Sequence, residues 1–164
     1  MRYVLAGDGD GVGVSSSAPR RHPSSVYLAG DSAGGNLLFG VLSHLAHAHP
    51  EIEALDLPGG RLGGAIPVSP WVSLETDFTG SDEIYAGGDI VTTAVAPLWA
   101  PPYLGARPRD HYTDVSRAPG DWLAAFPVDG MLMLAGGKEI LRPMIEEFMQ
   151  RLSVRLASVS DSVF

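Results

Sequence analysis

The chain has 164 residues, of which 45% are hydrophobic and 18% are charged, and its net charge is −8. This composition is typical of a globular domain with a core and argues against a disordered chain. The eleven Lys and Arg are scattered, so no basic run indicates a nucleic-acid or anionic-membrane partner. The lack of cysteine excludes disulfides, thiolate metal sites and a cysteine nucleophile, but it does not fix the compartment. No apolar run reaches the roughly 20 residues that a membrane-spanning helix needs.

The first part of the chain predicts a loop, a strand and a helix. Residues 7–25 are rich in Gly, Ser and Pro, which is typical of a loop. The apolar run 26–29 fits a buried strand between turn residues. Four leucines and Val41 recur at spacings of three and four over 33–48, which predicts a helix that Pro50 ends.

The middle of the chain is less regular. Residues 65–68 are a second strand candidate, but Pro67 would remove a hydrogen-bond donor from a central strand. Either the strand is bulged there or it lies elsewhere. Residues 71–127 contain all three tryptophans and many prolines, which predicts short helices and loops.

The last part predicts a strand followed by a helix. Residues 131–135 form a third apolar run, and Pro143 suits the first turn of a helix. The tail 153–164 shows no clear strand. Because strands alternate with helical segments, we expect an α/β fold with a mostly parallel sheet and flanking helices.

The pentapeptide Gly30-Asp31-Ser32-Ala33-Gly34 matches the pattern G-x-S-x-G and falls between the first strand and its helix. In that context the pattern is typical of a nucleophile elbow, a turn so tight that its serine adopts strained backbone geometry. Gly30 and Gly34 would allow strand and helix to approach each other. Ser32 would be the nucleophile, and the Ala33 N–H would donate to an oxyanion. The alternative is a glycine-rich turn in which Ser32 is an N-cap.

The longer run Gly30-Asp31-Ser32-Ala33-Gly34-Gly35-Asn36 resembles the elbow of hormone-sensitive-lipase-like esterases, which have the α/β-hydrolase fold. Ile66–Trp71 resembles the family's next strand, and Leu134–Arg142 resembles the segment that carries the triad acid. Glu139 matches the position of that acid, and in having a glutamate there the chain resembles fungal members of the family. The resemblance implies hydrolysis of a small-molecule carboxylic ester through a serine acyl-enzyme, without a cofactor.

The resemblance divides the chain into three segments. They are the nucleophile-elbow strand, helix and next strand (24–70), an irregular cap or substrate-wall insertion (71–127), and an acid-bearing strand, loop and helix (131–152). Trp71 and Trp99 are candidates for the substrate wall, although either could be a core aromatic. Independently of the resemblance, a carboxylate just past a strand end lies where open α/β sheets form their sites.

The base of the predicted triad is not evident. In this fold the triad runs Ser, acid, His, yet no histidine follows Glu139. We expect His44 and His47 to be solvated at the end of the helix. Their spacing of three residues could suit a metal, but no adjacent carboxylate supports such a site. His111 is a minor candidate for a displaced base, because the role of the base depends on geometry and not on chain order. No HGGG-type oxyanion loop precedes Ser32, so we expect a domain truncated at both ends, with little activity alone.

Two other functions stay open. One is a non-catalytic small-molecule-binding homologue, as in the plant gibberellin receptors, which resemble the same family. The other is an inactive gene fragment. Peptidase or thioesterase chemistry on the same triad is also compatible with the motif. The sequence predicts no metal site in any of these cases.

Overall fold

The computed structural model describes residues 21–57, 60–75, 78, 89–153 and 159–163. Four strands and four α-helices lie in these ranges. In chain order they are β1 (Tyr27–Asp31), α1 (Ala33–Ala46), β2 (Gly64–Val68), α2 (Ala96–Leu104), α3 (Gly120–Ala124), β3 (Met131–Ala135), α4 (Arg142–Ser153) and β4 (Val159–Val163). Short 3-10 helices cover Pro23–Ser25 and Val115–Arg117. Within the described ranges, no helix combines the length and apolar character needed to cross a membrane.

The four strands form one parallel sheet in the order β1-β2-β3-β4. Parallel neighbours require crossover connections, and α1 lies in the crossover from β1 to β2, as α4 lies in that from β3 to β4. The predicted α/β fold with a parallel sheet and flanking helices is confirmed. The expectation of no strand in the tail is wrong, because Val159–Val163 pairs with β3. Its polar sequence, VSDSV, gives no apolar run, so pairing and not local propensity decides its conformation.

Pro67 does lie in a central strand, and the structure shows how the strand accommodates it. The N–H groups of Ala65 and Ser69 donate to the carbonyls of Gly130 and Leu134, towards β3. Pro67 lies midway between these residues, so its missing donor also falls on the β3 side. There the two strands pair only at Ala65 and Val68, whereas the pairing with β1 is continuous. The proline therefore interrupts one rung without displacing the strand.

The core is formed by α1 and α4 packed against the sheet. Phe39 of α1 is fully buried and meets Phe148 of α4 edge to face, with ring centroids 5.1 Å apart. Phe126 adds a third buried ring, 6.3 Å from Phe39. A second, smaller apolar cluster lies apart from this core and contains Trp71, Leu74, Phe78, Ala100 and Ile140. This smaller cluster supports the candidate site described below.

Candidate active site

Ser32 occupies the turn between β1 and α1 with φ of 50° and ψ of −116°. This geometry is rare for a residue with a Cβ atom and costs about 1–3 kcal/mol. Main-chain hydrogen bonds hold it. The Ser32 N–H donates to the Val68 carbonyl at 3.0 Å, and the Ser32 carbonyl accepts from the Trp71 N–H at 2.9 Å. The Ser32 side chain makes no capping hydrogen bond to α1, so the residue is not an ordinary N-cap serine.

Two glycines make this turn possible. A Cβ atom on Gly30 would lie 2.3 Å from the Gly34 carbonyl oxygen, and one on Gly35 would lie 2.5 Å from Pro70 Cβ. Gly34 itself has room, since its nearest neighbour would be Asp31 Oδ1 at 3.9 Å. The expectation that Gly34 must be small is therefore wrong. The close approach of strand and helix depends on Gly30, and the approach of α1 to the segment after β2 depends on Gly35.

The predicted oxyanion donor lies at the start of α1. Ala33 is the first residue of this helix, and the first N–H groups of a helix have no acceptor within the helix. They also carry the positive end of the helix dipole, which favours an anion nearby. Ser32 and Ala33 line the same cavity. The arrangement suits the predicted role of the Ala33 N–H.

Glu139 lies in the loop between β3 and α4, and a serine that the sequence did not single out holds its carboxylate. The Ser69 hydroxyl donates to Glu139 Oε2 at 2.6 Å. The other oxygen, Oε1, is buried and has no hydrogen-bond partner among the described residues. Ser69 has a φ of 42°, and its N–H donates to the Leu134 carbonyl at 2.7 Å. A buried carboxylate oxygen without a donor is unfavourable, so Oε1 marks a position where an N–H group would be stabilised.

The serine and the carboxylate are linked through the end of β2. Val68 accepts the hydrogen bond from the Ser32 N–H, and the next residue, Ser69, donates to Glu139. Ser32 and Glu139 therefore flank one strand end at the carboxyl edge of the sheet, where open α/β sheets bind ligands. The structure thus brings together the two residues that the sequence proposed as nucleophile and acid.

An apolar cavity of about 310 Å³ opens beside Ser32 and Ala33. Its other described lining residues are Trp71, Phe78, Val91, Trp99, Tyr103, Ile140 and Leu141. None of these side chains is ionised at neutral pH. Trp71 is buried in the smaller core cluster and also lines the cavity, whereas Trp99 on α2 is 54% exposed. The two wall candidates are both at the cavity, and Trp71 serves the core as well.

A buried amide connects α1 to the wall of this cavity. The Asn36 side chain is 2% exposed, and its Nδ2 donates to the carbonyls of Trp71 and Thr113, both at 2.9 Å. The Tyr103 hydroxyl donates to Asn36 Oδ1 at 2.7 Å. Burial, and then the nearby charge of Asp110, raises the pKa of Tyr103, which keeps the hydroxyl protonated. Sequence reasoning singled out Asn36 only as part of the motif, although an amide among the leucines of this helix was a signal.

His44 and His47 lie at the other end of α1. His44 is buried, accepts the His49 N–H at Nδ1 (3.0 Å) and has Nε2 2.9 Å from the Glu53 carbonyl. The expectation of a solvated His44 is therefore wrong, because the chain after α1 folds back over it. His47 is half-buried and stacks on Trp122 with ring centroids 3.8 Å apart. It too is packed against protein and not simply solvated.

His111 is also far from Ser32. Its ring packs edge-on against Trp122 with centroids 4.9 Å apart, and its carbonyl accepts from the Ser43 hydroxyl. At 1.5 Å per residue, Ser43 lies roughly 16 Å along α1 from Ser32. The geometry gives no support to His111 as a displaced base. In the part of the chain that the structure describes, no group of three His, Asp or Glu side chains could hold a metal ion.

Several solved structures of esterases resemble this fold. An esterase from the bacterial hormone-sensitive lipase family has a TM-score of 0.67 at 22% identity, with 87% of this chain and 43% of that chain covered. Carboxyl esterase 2 of the fungus Tuber melanosporum has a TM-score of 0.63 at 21% identity, with 86% and 44% covered. A fungal esterase from Rhizomucor miehei has a TM-score of 0.68 at 21% identity, with 87% of this chain and 41% of that chain covered. At these identities the likeness shows the fold, and the chain spans about two fifths of each relative's length.

The sequence itself identifies the family. No curated protein matches the chain significantly. A family model described as alpha/beta hydrolase fold matches residues 12–161, which is most of the chain. The elbow, the strands β1 to β3 and the carboxylate after β3 lie within this match. The chain therefore belongs to the alpha/beta hydrolase fold family.

Proposed function

We propose that this chain carries the nucleophile and the acid of a carboxylic-ester hydrolase that acts through a serine acyl-enzyme. One observation carries the proposal: Ser32 is held at a φ of 50° beside an apolar cavity, and at the adjoining strand end Ser69 holds the Glu139 carboxylate, whose buried Oε1 has no partner among the described residues. The esterases among the structural relatives support the same chemistry. The glutamate at position 139 favours a fungal-type member, by the resemblance of that segment.

In the proposed reaction, Ser32 Oγ attacks the carbonyl carbon of the ester while a base takes the hydroxyl proton. The carbonyl oxygen becomes an oxyanion, which the Ala33 N–H and the helix dipole stabilise. The tetrahedral species then expels the alcohol, which receives the proton from the base, and an acyl group stays on Ser32. Water activated by the same base releases the acid and restores the hydroxyl.

Glu139 orients the base in this scheme. Ser69 fixes Oε2, which leaves Oε1 to accept an N–H from an imidazole and to stabilise the imidazolium. All five histidines of the sequence are described, and none is placed to be that imidazole. His44, His47, His49 and His111 pack at the far end of α1. His22 precedes the start of β1 and pairs with Ser24, whereas Ser32 follows the end of that strand. We therefore propose that the imidazole comes from outside this chain.

The cavity suggests what the ester looks like. Its described lining is apolar and aromatic and bears no charge, so an uncharged hydrocarbon group can be buried beside Ser32 while an ionised group would be disfavoured. Trp71 and Trp99 form the aromatic part of the wall together with Phe78 and Tyr103. We propose a neutral, small-molecule ester with an apolar group that fits about 310 Å³.

A non-catalytic binding protein is the second candidate. The observation in its favour is that the cavity is present while no histidine is among its described lining residues. Such a protein would bind apolar ligands at the cavity without turning over an ester. The two candidates differ in whether the Ser32 hydroxyl reacts once a base is available.

Added imidazole tests the difference directly. Hydrolysis of a short-chain p-nitrophenyl ester is measured with the chain alone and with increasing imidazole, after subtraction of the imidazole-only rate. We expect little turnover alone, a clear imidazole-dependent increase, and loss of that increase in Ser32→Ala. Ser25→Ala, an exposed serine in the short 3-10 helix, is the control. An equal imidazole-dependent rate in Ser32→Ala would contradict the esterase proposal, and ligand binding without any rate increase would favour the binding protein.

A further inference from the structure

The helix α2 forms one side of the cavity but is weakly anchored by apolar packing. Trp99 and Tyr103 of this helix line the cavity. Leu98 is 68% exposed and Trp99 is 54% exposed. Of the helix's described side chains, Ala100 is buried and Leu104 is partly buried against the smaller apolar cluster, whereas the others are exposed. Apolar packing therefore holds this wall at few points, and a further, polar anchor would fix its position.

The hydrogen bond from Tyr103 to Asn36 supplies that anchor. Asn36 donates both of its amide bonds to main-chain carbonyls, so its Oδ1 is fixed in direction and can only accept. The Tyr103 hydroxyl meets it at 2.7 Å. Since the amide is buried, breaking this bond would leave Oδ1 without a donor, which is unfavourable. The bond thus ties the wall helix to the helix that begins at Ala33.

We infer that the Tyr103–Asn36 hydrogen bond sets the size of the cavity beside Ser32, so that Tyr103 is a specificity-determining residue. The inference rests on the proposed function, because it takes the cavity as the place for the apolar group of the ester. With the bond in place, α2 stands at a fixed distance from α1, and chains that are too long meet the wall. Without it, α2 can move outward and the limit on chain length is relaxed.

A second tyrosine provides a matched control. The Tyr112 hydroxyl donates to the His47 carbonyl at 3.0 Å, and its ring packs edge-on against Trp122. Tyr112 does not line the cavity. Tyr112→Phe therefore removes a comparable hydroxyl bond elsewhere in the molecule, while Tyr103→Phe removes the bond at the wall and keeps the aromatic ring.

The experiment is a calorimetric titration of the full chain with straight-chain 2-alkanones of increasing length. These ketones have a carbonyl and an apolar tail but no leaving group, so binding is measured apart from hydrolysis. In the wild type, affinity should rise about fourfold with each added methylene that is buried, and then level off at the length that fills the cavity. In Tyr103→Phe the affinity should level off at a longer ketone or not level off at all. In Tyr112→Phe it should level off at the same ketone length as in the wild type.

Each outcome is decisive. An unchanged length limit in Tyr103→Phe would overturn this inference and leave the proposed function intact. If the wild type binds none of the ketones, the assignment of the cavity in the proposed function fails as well. Trp99→Ala is the second variant, because its exposed ring can be removed without disturbing the core. It should extend the accepted length, and an unchanged limit there would show that α2 is not the wall.

Discussion

The two ends of α1 differ in how their polar groups are satisfied. At the C-terminal end, His44 and Ser43 bond main-chain carbonyls, and His47 stacks on Trp122. At the N-terminal end, Ser32 has strained backbone geometry, and Glu139 across the strand end has a buried oxygen with no described partner. Strain and unpaired buried groups persist where function requires them, whereas satisfied groups stabilise the fold. The comparison supports a structural role for His44 and His47 and agrees with the chemical role proposed for the serine end.

The largest effect should come from the glycine on which the serine end depends. Gly30→Ala would place a methyl group 2.3 Å from the Gly34 carbonyl oxygen, which only a backbone shift can relieve. We expect the free energy of unfolding in urea to fall by about 3 kcal/mol or more. Gly34→Ala, with 3.9 Å of room, should leave it unchanged or raise it by up to about 1 kcal/mol. Equal losses in both variants would contradict the tight turn.

Ser69→Ala should have the next largest effect, because it leaves both Glu139 oxygens without a described donor. Losing a hydrogen bond to a charged group costs about 1.5–3 kcal/mol of stability. The imidazole-dependent hydrolysis should fall as well, since the carboxylate is no longer oriented. Ser43→Ala, which removes a bond to the His111 carbonyl at the other end of α1, should lower stability without lowering that rate. A rate that is insensitive to Ser69→Ala would separate Glu139 from the chemistry.

Ser32→Gly sharpens the comparison because stability and activity should move in opposite directions. Glycine adopts a φ of 50° without the strain that a Cβ atom creates, so the free energy of unfolding should rise by about 1–2 kcal/mol. The imidazole-dependent hydrolysis should be lost with the hydroxyl. Urea unfolding and the ester assay on the same preparation check both, and a destabilised Ser32→Gly would mean that the turn is not strained.

Substitutions at the histidine end of α1 should lower stability and leave the imidazole-dependent hydrolysis unchanged. His47→Ala and His111→Ala each remove a ring contact with Trp122, which is worth about 0.5–1.5 kcal/mol. Neither should change the imidazole-dependent rate, because the rings lie at the far end of α1 from Ser32. Loss of hydrolysis in His111→Ala, with folding retained, would restore that residue as the base.

The smallest effect is a dependence of stability on alkaline pH. Burial is the main cause that raises the pKa of Tyr103 and of Tyr112 above the ordinary value of 10.0, and Asp110 adds to it. The folded state then holds protons that the unfolded state has lost, so stability is complete below pH 10 and declines as pH rises through the folded pKa. Tyr103→Phe should reduce this decline in a series of urea titrations. An identical decline in the variant would place the effect elsewhere.

Much of the fold followed from local pattern. Apolar runs located β1, β2 and β3, and the glycine and serine spacing located the strained turn at Ser32. The strand at 159–163 was missed because its residues are polar and only pairing with β3 defines it. The burial of His44 was missed for a similar reason, since the backbone of His49 and Glu53 covers it.

The candidate site was predictable in its motif and not in its long-range contacts. Ser32 and Glu139 were named from short segments that resemble a family. The partner of Glu139 was not, because Ser69 lies 70 residues before it in the chain. The bond from Tyr103 to Asn36 spans 67 residues. Such contacts depend on how helices and strand ends meet, which a single sequence does not encode in any local pattern.

The central claim is that the Ser32 hydroxyl is the group that accepts the acyl chain. The most direct measurement is peptide mapping by mass spectrometry after the chain has reacted with p-nitrophenyl acetate in the presence of imidazole. The account predicts an acetyl group on the peptide that contains Ser32, and none there in Ser32→Ala. Acetylation spread over other serines and Lys138, with Ser32 unmodified, would contradict it.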